Sequence, residues 1–194
     1  MKLILASASP RRAEILRNAG FVFEARPTGI DETPLSEEGA EDYVRRLAEN
    51  KSRLAANRAQ QTEVTAVVIG ADTAVVAQNE ILGKPRDAEQ ARLMLRLLSG
   101  RAHDVHTGIS VLGIPGGPEI SHVETTRVYF KALSETDIHD YIGSGEPFDK
   151  AGGYGIQGIG GRFIWKIEGC YFNVMGLPLS RVWSAMRAVG WIRF

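Results

Sequence analysis

Ala66-Val67-Val68-Ile69-Gly70-Ala71-Asp72-Thr73-Ala74-Val75-Val76-Ala77 is the stretch on which the reading of the fold turns. Ala66 to Gly70 is a continuous apolar run without polar alternation, the pattern of a central strand buried on both faces of a sheet. Such strands belong to α/β architecture, with helices covering the faces. The run is expected to pause at Ala71-Asp72-Thr73 before a second run, Ala74 to Ala77. Two readings of the pause stand side by side. An Asx-type turn between two strands suits aspartate and threonine, whereas a ligand-facing carboxylate suits the carboxyl end of a buried α/β strand.

Around this stretch the chain alternates strand and helix signals. Leu3 to Ala6 is a short apolar run, followed by a helix from Pro10 to Ala19 with Ser9 as N-cap, Pro10 in the first helical position and Gly20 as the stop. Phe21 to Ala25 is expected as a second strand, and Pro27 to Gly39 as a polar loop carrying Asp31 and Glu32, with Ser36 available to cap the next helix. That helix, Ala40 to Asn57, sets Val44, Leu47, Ala48, Leu54 and Ala55 on one stripe. Lys51 falls in the same stripe, either as a stem that snorkels past the core edge or as an ammonium directed into a cleft.

Further on, Gln78-Asn79-Glu80 reads as a turn before Ile81-Leu82, and Asp87 with Gln90 caps a helix that carries Ala91, Met94, Leu95 and Leu98 inward to Gly100. Val105 to Leu112 and Glu119 to Phe130 read as an antiparallel pair around a wide Gly113–Pro118 loop. Ser134 with Asp137 caps a short helix ended by Gly143. Phe163 to Ile167 forms another strand, and Leu179 to Val189 a last amphipathic helix stopped by Gly190. The element order predicts one α/β domain over residues 1–194 with a mixed β-sheet, flanking helices and two lobes around a cleft.

Composition bounds the partners. Lys plus Arg and Asp plus Glu both total 23, so no global basic field attracts nucleic acid or an anionic membrane. The single cysteine, Cys170, excludes an internal disulfide and a Cys-based zinc site, and fits a reducing cytoplasm. The apolar opening, Met1 to Ala6, stops at Ser7 and is too short for a signal peptide or a membrane span. His103 and His106, three apart on an extended strand, face opposite ways and do not make a metal pair.

The chemistry is concentrated in four short segments. Ser7-Ala8-Ser9-Pro10-Arg11-Arg12 puts two guanidiniums in a first helical turn, where the dipole already favours an anion. This is either a phosphate cradle or two solvated arginines. Asp72 could bind a divalent cation, act as a base toward water, or do both. Lys84, between Gly83 and Pro85, suits a phosphate oxygen, and Glu32 could be a second metal ligand. Finally, Asp149 to Gly161 packs six glycines into ten residues around the lone amide Gln157, a composition that brings backbone close to a ligand.

Taken in order, Ser7 to Arg12, Lys51, Gly70 to Thr73, Gly83 to Pro85, Leu98-Ser99-Gly100 with His103, and Asp149 to Gly158 resemble the Maf family of nucleotide pyrophosphatases, specifically its branch acting on dTTP and UTP. The resemblance implies hydrolysis of a nucleoside triphosphate to the monophosphate and diphosphate, a magnesium or manganese cofactor, an inosine-triphosphatase-like fold and a homodimer. It implies Asp72 as proton acceptor, with Asp72 and Glu32 at the metal. Arg11, Thr73 and Gln157 match the substrate-selecting positions, and Ser7, Arg12, Lys51 and Lys84 the phosphate-binding pocket. The Gln157 amide complements the N3–H and O4 edge shared by uracil and thymine, which cytosine reverses. Rivals are a pyrophosphatase for methylated purine triphosphates and a non-catalytic nucleotide sensor that restrains cell division.

Overall fold

The computed structural model describes residues 1–62 and 65–192. Its strands are β1 (Lys2–Leu5), β2 (Glu24–Ala25), β3 (Ala66–Ala77), β4 (Glu80–Leu82), β5 (Ala102–Ile114), β6 (Glu119–Phe130) and β7 (Ile164–Glu168). The helices are α1 (Pro10–Asn18), α2 (Ala40–Gln60), α3 (Ala88–Leu98), α4 (Glu135–Gly143), α5 (Tyr171–Val174) and α6 (Leu179–Ala188). The strands form one mixed sheet in the order β2-β1-β3-β5-β6-β7, with β4 on β3. This is the expected mixed α/β class. The chain divides into two compact units, one of Met1–Asp72, Thr107–Glu124 and Gly176–Phe194, the other of Thr73–His106 and Thr125–Met175.

One correction concerns the decisive stretch itself. No turn interrupts it: β3 is continuous through Asp72 and Thr73. Ladder pairing overrides the local preference of aspartate and threonine for a turn.

In the first unit, β1 pairs in parallel with β2 on one side and β3 on the other, the last β1–β3 partners being Leu5 and Ile69. β2 is shorter than expected because the Phe21 N–H bonds back to the Leu16 carbonyl at the end of α1. α2 begins at Ala40 as read, but its N-cap is Gly39 rather than Ser36, and no side chain caps it. Glu41 and Asp42 in its first turn complement the helix dipole instead. Ala55, Ala56 and Ala59 of α2 pack on Ile4, Ala6, Ala66, Val68 and Ile114. These small side chains let the helix lie close to the sheet, and two glycines bring it closer. A Cβ on Gly70 would collide with the Ala48 carbonyl oxygen and lie 2.7 Å from Ser52 N. One on Gly108 would collide with the Val44 carbonyl and lie 2.8 Å from Arg45 N. Ser52 adds a buried bond to Ser110 (2.7 Å), which donates to Glu119 (2.9 Å).

In the second unit, Val75 to Ala77 pair antiparallel with β4 across Gln78 and Asn79, whose φ values of 51° and 65° are those of a tight hairpin turn. Asp87 caps α3 through Gln90 N (2.8 Å), and Ser134 with Asp137 completes a capping box on α4. α4 runs through Gly143, and the left-handed residue that follows it is Gly145 (φ 77°). The Gly-rich segment folds as short 3₁₀ turns over Glu146–Asp149, Ala151–Gly153 and Ile159–Phe163. Its Tyr154 joins an aromatic cluster with Phe130 and His103, with His103 Nε2 2.6 Å from the Tyr154 hydroxyl.

Two outcomes follow from this packing. Gly70→Ala drives a methyl into α2 backbone that cannot swing aside, and is expected to cost about 3 kcal/mol in urea unfolding. Burial of His103 lowers its pKa to about 4 from 6.5, only weakly opposed by Asp104. The neutral ring therefore contributes stability above the ordinary histidine value, and that stability is lost as pH falls, because the unfolded chain takes up the proton first. Between pH 7 and pH 5 the native protein should lose about 2 kcal/mol more than His103→Phe does. Equal pH slopes for the two would show that the ring titrates normally.

Candidate active site

In the first unit the strand order β2-β1-β3 places β1 between two parallel neighbours reached in opposite directions. The carboxyl end of β1 is thus a topological switch point, where α/β sheets bind ligands. β1 ends at Leu5, while β3 continues. Ser7, Arg11 and Arg12 follow the end of β1, and Asp72 lies three residues beyond the last β1–β3 pair.

Here Lys51 meets both predicted acids. Its Nζ lies 2.6 Å from Asp72 Oδ1 and 2.6 Å from Glu32 Oε1. Lys51 and Asp72 are buried, at 7% and 8% exposure, while Glu32 remains open to solvent. Of the two readings of Lys51, the inward-directed ammonium is the one observed. The placement follows from the glycine contact, because Gly70 receives α2 at Ser52, next to Lys51. Asp72, two residues along β3 from Gly70, projects on the same face.

Arg12 is buried and spends its donors on the protein. Nε donates to the Gly176 carbonyl (2.7 Å), and Nη1 to the Ala71 carbonyl (2.8 Å) and Ser7 Oγ (3.1 Å). Ser7 Oγ also accepts from Ser9 N (3.2 Å), closing the turn into α1. Burial lowers the Arg12 pKa; Asp72 and Glu32 pull it back up, and Arg11 pushes it down. Arg11, Arg12, Glu32 and Asp72 therefore share one electrostatic neighbourhood.

Sequence reasoning missed Tyr43. Its hydroxyl donates to the Glu32 carbonyl (2.9 Å). Burial first, and then the Asp72 and Glu32 carboxylates, push its pKa up to about 12. Arg46 holds the same loop through Glu38 (2.5 Å) and the Thr33 carbonyl (3.3 Å). Tyr43, Leu47 and Lys51 stand four apart along α2, and this spacing was the available signal.

The other predicted residues belong to the second unit. Thr73 is half-buried on β3; Lys84 and Gln157 are exposed. The Gly152 N–H donates to the Gly83 carbonyl (3.0 Å), tying the Gly83-Lys84-Pro85 turn to the Gly-rich segment. Gly152 itself has φ 69°, and a Cβ there would meet Val75 Cγ1 at 2.9 Å, so glycine is needed for both conformation and space.

The residues present suit a divalent cation in one respect. Carboxylate oxygens from Asp72 and Glu32 converge on a single cationic atom, Lys51 Nζ, and magnesium favours such sparse carboxylate sets completed by substrate phosphates. Among the described residues, no group of three or more His, Cys, Asp or Glu could hold a metal by itself.

A family model described as Maf-like protein matches residues 2–189. The chain belongs to the Maf family. Maf relatives named dTTP/UTP pyrophosphatase include one from Koribacter versatilis (strain Ellin345), 48% identical over 98% of this chain and 95% of its own length. Another, from Carboxydothermus hydrogenoformans, is 46% identical over 98% of this chain and 100% of its own. Among solved structures, the Ham1 protein of Staphylococcus aureus is similar at a TM-score of 0.48 and 17% identity, over 84% of this chain and 80% of that one. Among the described residues, no helix is long and apolar enough to cross a membrane.

Lys51→Met leaves the buried Asp72 carboxylate without its ammonium partner, and should cost about 3 kcal/mol in denaturant unfolding. Adding Asp72→Asn should restore most of that loss. Additive losses in the double variant would mean that the two groups do not interact.

Proposed function

We propose that this Maf protein hydrolyses nucleoside triphosphates, dTTP and UTP foremost, to the monophosphate and diphosphate. The observation that carries the reading is the Lys51–Asp72–Glu32 cluster at a strand-end switch point, in a chain nearly half identical to relatives named dTTP/UTP pyrophosphatase. Water attacks the α-phosphorus, the bond from that phosphorus to the α,β-bridging oxygen breaks, and diphosphate leaves with the bond's electron pair. Asp72 accepts the proton of the attacking water on Oδ2, while Lys51 holds Oδ1 and keeps the carboxylate oriented.

Asp72 and Glu32 would hold a divalent cation, magnesium or manganese, which when bound supplies Lewis-acid polarisation of the phosphoryl group. Arg11, Arg12 and Ser7 provide positive potential and a hydroxyl for the phosphates; Lys84 contributes a further ammonium. Gln157 and Thr73 select the base. An amide that fits the N3–H and O4 edge leaves cytosine with unpaired polar groups, worth about 1–3 kcal/mol of discrimination. Residence in the cytoplasm, a homodimeric state and a role in clearing the nucleotide pool belong to the same reading and rest on the family resemblance.

Incubating the protein with normal and modified triphosphates, with and without magnesium or manganese, and identifying products tests this directly. Release of nucleoside diphosphate plus orthophosphate, or preference for methylated purines, would replace the proposal. Asp72→Asn should lower kcat about 10²- to 10⁴-fold while dTTP binding changes only a few-fold. Unchanged turnover would remove Asp72 as the base.

A further inference from the structure

The mechanism above leaves one half-buried polar network in the second unit without a part. It centres on Glu146, which precedes the Gly-rich segment in a 3₁₀ turn. Its Oε2 accepts from Ile159 N (2.8 Å), and its Oε1 from Gly160 N (3.0 Å) and from the Tyr141 hydroxyl (2.9 Å). Tyr141 in turn accepts from Gly155 N (3.3 Å). The N–H groups on both sides of Ile156-Gln157-Gly158 are therefore gathered by one carboxylate–phenol pair, and Gln157 sits at the tip of the loop they close.

The anchor beneath the loop is rigid. Tyr141 is fully buried, and its ring meets Phe163 edge to face at 5.1 Å. The loop passes so near that only glycine fits: a Cβ on Gly158 (φ 114°) would lie 2.7 Å from Glu146 Oε2, and one on Gly160 would lie 2.6 Å from the Tyr141 hydroxyl. Burial raises the Glu146 pKa, but the Gly160, Ile159 and Tyr141 hydrogen bonds outweigh it and hold the group below the usual carboxylate range. Acceptance of two backbone N–H groups and a phenol suits the ionised form, which has acceptor sites only.

We propose that Glu146 is the positioning residue for base recognition, its carboxylate and the Tyr141 hydroxyl together setting the loop conformation that aims the Gln157 amide. This rests on the proposed pyrimidine triphosphatase activity. Glu146→Gln puts an NH₂ group against backbone donors, and Tyr141→Phe removes the bridge to Gly155 while keeping the buried ring. Either change loosens the loop without touching Asp72, Lys51 or Glu32.

The test measures kcat and KM for UTP, CTP and ribose 5-triphosphate, which carries no base. Glu146→Gln should lower the UTP-to-CTP ratio of kcat/KM by about tenfold, through KM for UTP, and leave ribose 5-triphosphate hydrolysis within about twofold of the native rate. Tyr141→Phe should act in the same direction to a smaller extent, and carries the test alone if Glu146→Gln does not fold. In a Gln157→Ala background, neither change should alter the ratio further. An unchanged ratio in the single variants, or an equal fall with all three substrates, overturns the positioning role. Inactivity of the native protein toward UTP and dTTP would instead remove the activity on which the proposal stands.

Discussion

The close approach of α2 to the sheet, made possible where Gly70 and Gly108 present no side chain, is the constraint on which the site in the first unit depends. It sets the helix near enough for the buried Lys51 stem to deliver its ammonium to Asp72. A larger residue at Gly70 would separate the ion pair as well as strain the core. Stability and chemistry therefore share a cause at this point: the contact that packs the helix also supplies the counter-charge without which a buried carboxylate would be costly.

The same geometry explains why the continuity of β3 matters. Had the strand ended at Gly70 and turned, Asp72 would have pointed wherever the turn directed it. In a continuous strand its direction is fixed by the two-residue period, on the Gly70 face. The strand survives Gly70, Asp72 and Thr73 within four residues because its neighbours in the sheet hold it extended.

Much of this architecture was legible in the chain. The strand and helix order, the caps at Ser9, Asp87 and Ser134, and the anomalous lysine on the apolar stripe of α2 all followed from periodicity and local hydrogen-bonding chemistry. Three things were not. The unbroken β3 depends on ladder partners distant in sequence. The Gly39 cap depends on a backbone conformation that Ser36 gives no clue to. Glu146 acts on backbone N–H groups and Tyr43 on a backbone carbonyl, partners that every residue possesses; Glu146 therefore leaves no mark in a sequence pattern, and Tyr43 only its spacing from Leu47 and Lys51. The side chains proposed to do chemistry were visible as anomalies; those that hold loops in place were not.

The two adjacent arginines show how far a motif can be read. Their position in the first turn of α1 favours an anion; the family resemblance implies phosphate binding for Arg12 and substrate selection for Arg11. The structure shows a second task for Arg12. β3 extends beyond the end of β1, and the last backbone bond between the two segments runs from Ala6 N to the Ile69 carbonyl. The Ala71 carbonyl receives Arg12 Nη1, whose guanidinium also grips Ser7 and Gly176. Arg12 thus closes the end of the parallel ladder with a charge beside Asp72, and its positive potential reaches the site from a fixed, buried position. A fixed cation of this kind needs no reorganisation when a polyanion arrives, which is the condition under which an electrostatic group contributes most to catalysis. Arg11, on the same turn, is half-exposed where Arg12 is buried, so the two guanidiniums of one motif stand in different environments.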